Sequence, residues 1–251
     1  MNELKVNNRL VRIKDSPEEL RLDAFKEFNR HLLIDAGLGS SVNDWNHRVS
    51  RVQAFIKAGD EKAALLELNN SRLLVQGLLA GLNPKMAAFA CLVESIDGVP
   101  CTDLTDAGLK AITTKLSSAG MTFKWMERLL TAAKKKVDAE MAAYFPGKSV
   151  NTDSIQAVTL LRRRTRLLLL KIQEGTLAFN DQEVVDIDQE MLMLFPPANF
   201  ASRGNEEVEY VASFERMVAG VSKYMGFDCW GFSVLRLHQT LALINDNQPK
   251  Q

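Results

Sequence analysis

Asn83-Pro84-Lys85-Met86-Ala87-Ala88-Phe89-Ala90-Cys91-Leu92-Val93 combines a helix start with an almost unbroken apolar run. Asn before Pro is a helix start, because the Asn side chain accepts an orphan amide proton and proline has no amide to orphan in the first turn. The helix opened in this way is apolar nearly all round from Met86 to Val93. A helix of that kind has no face to give to water and belongs at the centre of other elements. The pattern predicts a helix from Lys85 to Ile96 as the core of the first half of the chain, with Asp97-Gly98-Val99-Pro100 as a turn behind it.

Upstream, a Leu-rich helix over Glu61–Ala80 ends at Gly81, and a helix over Val42–Ala58 carries Trp45, Val49, Val52 and Ile56 on one stripe. Gly59-Asp60 between them serves as C-cap and then N-cap, which makes an antiparallel helical hairpin. Ser16-Pro17-Glu18-Glu19 has the Ser cap, early Pro and acidic first turn of another helix start. That helix is expected to run to Ala36, burying Leu22, Phe25, Phe28, Leu32 and Leu33, with Gly37 and Gly39 stopping it. Leu4-Lys5-Val6 and Arg9-Leu10-Val11-Arg12-Ile13 flank Asn7-Asn8 as two short strand-like runs around a turn. An isolated hairpin is marginal in water, so it lies on the helical body or pairs with another chain. It is the only β element expected.

Downstream, helices are predicted over Asp106–Ser118 and Phe123–Tyr144, before Phe145-Pro146-Gly147 breaks the chain. Asn151-Thr152-Asp153 opens a long helix to Glu174, and Asn180 with Glu183 caps one to Leu194, which Pro196-Pro197 stops. Helices over Glu206–Met225 and Trp230–Ile244 come next, then a polar tail. No internal repeat is visible, which argues against a solenoid. The expected fold is all-α: an irregular multi-helix bundle with a short N-terminal β-hairpin. Its organisation is either an N-terminal subdomain over 1–146 and a C-terminal helical subdomain over 147–251, or one continuous domain.

Lys plus Arg and Asp plus Glu are 31 each, so there is no overall bias towards polyanions, and nucleic-acid coating is disfavoured. Three cysteines without a CxxC pair, a start lacking an apolar leader and no apolar run near ~20 residues predict a cytoplasmic protein without a membrane span. His31, His47 and His238 have no carboxylate or cysteine at zinc-site spacing. Cys91, Cys101 and Cys229 read as small hydrophobes rather than nucleophiles. The acidic run Asp181–Glu190 lacks the central Gly of a calcium loop, and Gly37-Leu38-Gly39-Ser40 lacks the Lys-Ser or Lys-Thr of a phosphate cradle. No catalytic, cofactor or metal residue is therefore expected, and the chain reads as a non-enzymatic protein that works by contact.

Two regions stand out for partner binding. Arg162-Arg163-Arg164 and Arg166 sit between Leu160-Leu161 and Leu167–Leu170. Consecutive helical residues point about 100° apart, so three adjacent Arg cannot share a face, although Arg162 and Arg166 can. They read as solvated or interfacial arginines, or alternatively as the contact of a helical nucleic-acid-binding or regulatory protein. The other region is the chain end, where Phe227, Trp230, Phe232 and Leu235 concentrate apolar surface. Either this end docks back on the body or it presents a face to a partner.

The hairpin, the Ser16-Pro17-Glu18-Glu19-Leu20 helix start, a helical bundle without a catalytic centre and the Trp230-containing last helix are together similar in outline to tail-assembly chaperones of long-tailed bacteriophages. Asn83–Val93 with Ile96-Asp97-Gly98 resembles a phage structural-module protein. The resemblance transfers no individual residues. It implies an assembly role in a host cytoplasm: binding apolar segments of the tape-measure protein and keeping them soluble before the tail tube polymerises. The second half reads equally as a component of the finished virion, and a homo-oligomer fits either role.

Overall fold

The computed structural model describes residues 2–81, 83–145, 152–176, 178, 181–194, 196–201 and 204–246, with the backbone alone at 152–155, 157, 192 and 193. In chain order they form β1 (Asn2–Val6), β2 (Arg9–Ile13), α1 (Leu22–Leu38), α2 (Val42–Lys57), α3 (Glu61–Ala80) and α4 (Pro84–Leu92). After these come β3 (Val93–Ile96), β4 (Val99–Pro100), α5 (Asp106–Ser118), α6 (Phe123–Tyr144), α7 (Thr152–Gln173), α8 (Gln182–Leu194), α9 (Glu206–Met225) and α10 (Val234–Asp246). The protein is a mostly-α multi-helix bundle carrying one small sheet.

The apolar stretch at residue 83 is the centre of that bundle. Asn83 accepts the amide of Met86 at 3.2 Å, Pro84 occupies the first turn, and Ala88, Phe89, Ala90 and Leu92 are completely buried. α1, α5 and α6 pack around it. The helix stops at Leu92, four residues before the predicted end, because Val93–Ile96 leaves it to become β3, antiparallel to β2 with Val11 opposite Ile96. The expectation that the N-terminal hairpin is the only β element is thereby corrected. It is half of a four-stranded sheet in the order β1-β2-β3-β4, closed by Asp97-Gly98 in left-handed conformation. The physical reason is the second edge of β2, whose backbone groups need partners. Lys14 donates its amide to Leu92 and Asp97 donates its own to Leu10, both at 2.8 Å. Asn7 supplies the positive φ of the first turn, and Val6, Val11 and Ile13 point into the core. The hairpin therefore pairs within its own chain.

The helix predicted to begin at Ser16 begins at Leu22 instead. Ser16–Glu19 forms a turn, and Arg21, the extended N-cap of α1, is held by the chain end: Leu22 donates to Phe232 at 3.1 Å and Val234 to Leu20 at 2.9 Å, around an Arg21–Ser233 bridge. Leu235 adds a bond to the Pro17 carbonyl at 3.0 Å. The same pairing keeps residues 230–233 out of the last helix, which begins at Val234 rather than at Trp230. α9, α10 and the segment between them contribute Phe214, Val218, Cys229, Phe232 and Leu237 to the core that also holds Phe89 and Leu109. That core thus draws on residues before and after position 146.

Where caps are local, the boundaries match the sequence reading. Ser41 caps α2, Asp60 accepts the Ala63 amide at 2.9 Å to open α3, and Thr105, Thr122 and Asn205 open α5, α6 and α9. Asp181 accepts the Glu183 amide to begin α8, while the predicted cap Asn180 lies outside the described residues. On α2 the buried residues are Arg48 and Phe55; Trp45 and Ile56, from the predicted stripe, are exposed. Arg48 turns inward because the last carbonyls of α1, at Gly37 and Leu38, accept its guanidinium, and fully buried Glu67 on α3 pairs with it at 2.9 Å.

The segment 196–201 straps this hairpin to α1. Asn70 donates to the Ala198 carbonyl at 2.6 Å, and the Phe200 ring lies against Gly37, which stays inside α1 while Gly39 ends it. A Cβ at residue 37 would fall within the Phe200 ring. Gly37→Ala, which ordinarily gains up to ~1 kcal/mol in a helix, is expected here to cost about 1–3 kcal/mol by overpacking. In a Phe200→Ala background the sign inverts, so chemical denaturation of the four proteins of that cycle checks the contact.

Candidate protein-docking surface

The residues with chemical potential are mostly used structurally. Burial pushes the Cys91 thiol well above its ordinary value and raises that of Cys101, while Cys229 is fully buried. Thiols in such surroundings are poor nucleophiles. Among the described residues no group of three His, Cys, Asp or Glu side chains is placed to hold a metal ion.

His31 is completely buried, with neither ring nitrogen hydrogen-bonded; Asp106 lies 3.7 Å from Nε2. Beside it Arg30 joins three elements, reaching Glu207 of α9 at 2.6 Å, Glu27 at 2.8 Å and Asp106 of α5 at 3.2 Å. Burial, and then the Arg30 charge, depress the His31 pKa below 6.5. Between that depressed value and 6.5 the unfolded chain binds the extra proton, so stability is complete above about pH 6.5 and falls as pH is lowered through the window. Replacing His31 with Leu should flatten stability against pH below 6.5 by up to about 1.4 kcal/mol per pH unit, measured by urea denaturation across pH 5–7. An unchanged slope would show that His31 is not the titrating group.

The chain-end aromatics divide between inside and outside. Phe232 is buried, with the Arg236 guanidinium 4.1 Å from its ring centroid. Trp230 is half-buried between Phe214, 6.1 Å away by ring centroids, and the Lys26 ammonium at 5.5 Å. Leu235 is half-buried beside Pro17, and Phe227 is exposed but stacks edge-on against Phe232 at 5.9 Å. Phe227, Trp230 and Phe232 precede α10, so the four residues do not form one helix face. Of the two readings, docking back on the body describes them.

The arginine cluster is different. α7 and α8 pack chiefly on each other, burying Leu160 and Ile187. Arg164 pairs with Asp188 at 2.6 Å, Arg163 with Glu190 at 3.6 Å, and Lys171 with Asp181 at 2.6 Å and Glu183 at 2.7 Å. Arg162 and Arg166 point the other way, exposed and without a carboxylate partner among the described residues. With Leu161, Thr165, Leu169, Leu170 and Gln173 they line a shallow groove of about 430 Å³. Val158, Leu161, Leu169 and Ile172 are 46–62% exposed, so α7 carries a second apolar stripe that the hairpin does not cover. Sequence reading found the two arginines but not the stripe. Its signal was there: residues 158, 161, 165, 169 and 172 recur at three- and four-residue steps, but the burial of the opposite face decides which stripe meets α8.

No helix among the described residues is by itself long and apolar enough to cross a membrane. Comparison with protein-family models, with curated proteins and with solved structures finds no match to this chain.

Proposed function

We propose that this chain is a non-enzymatic protein that acts by contact, burying the apolar surface of a protein partner on the outer face of α7, in phage tail assembly or virion structure. The observation that supports the contact is the stripe of large apolar side chains left exposed on a helix whose opposite face is already packed. Contiguous apolar surface rimmed by polar groups is characteristic of binding surfaces, and each Å² covered contributes about 25 cal/mol before ordering costs. The phage setting rests on the outline resemblance of the sequence, and there the task would be keeping apolar tape-measure segments soluble in the host cytoplasm.

The nucleic-acid alternative draws less support, because two of the four clustered arginines are bound to carboxylates. The two arginines without a carboxylate partner among the described residues would account for a salt slope of only about −1.8 in log K against log salt.

The test is the mass and composition of the natively purified protein from its own expression background, at low and high salt, for the natural chain and Leu161→Asp/Leu169→Asp. Both leucines are more than half exposed, so folding should be little affected, which circular dichroism checks. A protein partner that survives high salt and is lost from the variant supports the reading. A bare monomer in both cases, or nucleic acid that leaves at high salt, overturns it.

A further inference from the structure

We infer that the occupant of the α7 face is an acidic amphipathic helix of another protein; this rests on reading that face as a docking surface. Two features of the groove define the partner. It lies along an exposed stripe of Val158, Leu161, Leu169 and Ile172, interrupted by Thr165, which runs about 21 Å at the α-helical rise, the length of four turns of a partner helix laid alongside. It carries positive charge: Arg162 and Arg166 stand one turn apart on one side of the stripe.

The charge is what selects among occupants. Arg163 and Arg164, one and two residues away, have carboxylates from α8 in ion-pair range, whereas Arg162 and Arg166 have none among the described residues. A partner helix with two carboxylates one turn apart, flanking Leu or Ile anchors at three- and four-residue steps, satisfies both features together. A second copy meeting this face antiparallel, across a two-fold axis perpendicular to α7 at its middle, would oppose arginine to arginine, which disfavours that pairing. A phosphate backbone would meet the arginines but leave the leucines against water.

The experiment uses the full chain and two synthetic helical peptides of about 18 residues, ~27 Å long, with the same Leu stripe. One carries Glu at the two flanking positions and the other Lys; binding is read by fluorescence anisotropy, and association of the protein alone by sedimentation. The Glu peptide is expected to bind about tenfold more tightly than the Lys peptide, the sum of two gained pairs against two like-charge contacts. Arg162→Glu/Arg166→Glu should invert the preference, and Leu161→Asp/Leu169→Asp should remove binding of both peptides. Equal binding of the two peptides, unaltered by the arginine changes but lost with the leucine changes, overturns the acidic partner and leaves the docking surface standing. Absence of binding by either peptide, or binding that ignores the leucine changes, overturns both. A dimer of the protein alone that the leucine changes dissociate overturns the inference in favour of a second copy.

Discussion

Arg48→Met lowers the stability of the protein by about 3–5 kcal/mol, the cost of leaving a buried charge without its partner. Glu67 is completely shielded from solvent, and its carboxylate faces Arg48 at 2.9 Å and Arg51 more distantly, at 3.5 Å. Arg48 also serves the carbonyls of Gly37 and Leu38, so its loss strips donors from the end of α1 as well as the counter-ion from α3. The double replacement Arg48→Met/Glu67→Leu is expected to recover much of that loss, because removing both charges also removes their desolvation cost. Guanidinium denaturation of the two single variants and the double one gives the coupling directly. If Arg48→Met costs less than ~1 kcal/mol, the pair is not what ties α2 and α3 to the end of α1.

Phe89→Ala is expected to cost about 3–5 kcal/mol, through lost apolar transfer plus the cavity left behind. Phe89 is fully buried at the middle of α4, and its helical neighbours Ala88 and Ala90 are fully buried too. A helix covered by α1, α5 and α6 has little freedom to collapse into the void. Leu79→Ala is the matched control: that side chain is 83% exposed on α3, and its truncation should change stability by no more than about 0.5 kcal/mol. Both variants are measured in the same denaturant titration, and a Phe89→Ala loss close to the Leu79→Ala value would mean that α4 is not the centre of the core.

The legibility of each element in the sequence tracks the range of the forces that make it. Asp60 and Asn83 were legible as caps, and the starts expected at Val42, Asp106, Phe123 and Glu206 coincide with caps from Ser41, Thr105, Thr122 and Asn205, all within three residues of the amides they serve. The Ser16 cap opens no helix, although its local pattern is as good. Its helix is overruled by backbone pairing of Leu20–Leu22 with residues more than two hundred positions away, and no local pattern records such a partner. The same pairing moves the start of the last helix and draws Phe232 inside. Val93–Ile96 leaves α4 for a comparable reason, since only the presence of β2 makes a strand there worth more than another helical turn.

Capping and hydrophobic periodicity act over one or two turns, so a mostly helical chain, with a buried apolar helix opening at Asn83 as the core of its first half, was legible in the sequence. The tertiary structure alone decided that β1 and β2 belong to a sheet with β3 and β4, that the chain end clamps the entrance to α1, and that Arg162 and Arg166 face outward while Arg163 and Arg164 face α8. Hydrogen-bond and ion-pair partners are chosen by proximity in space. A single sequence holds the candidates, and only the packed chain brings particular ones within reach.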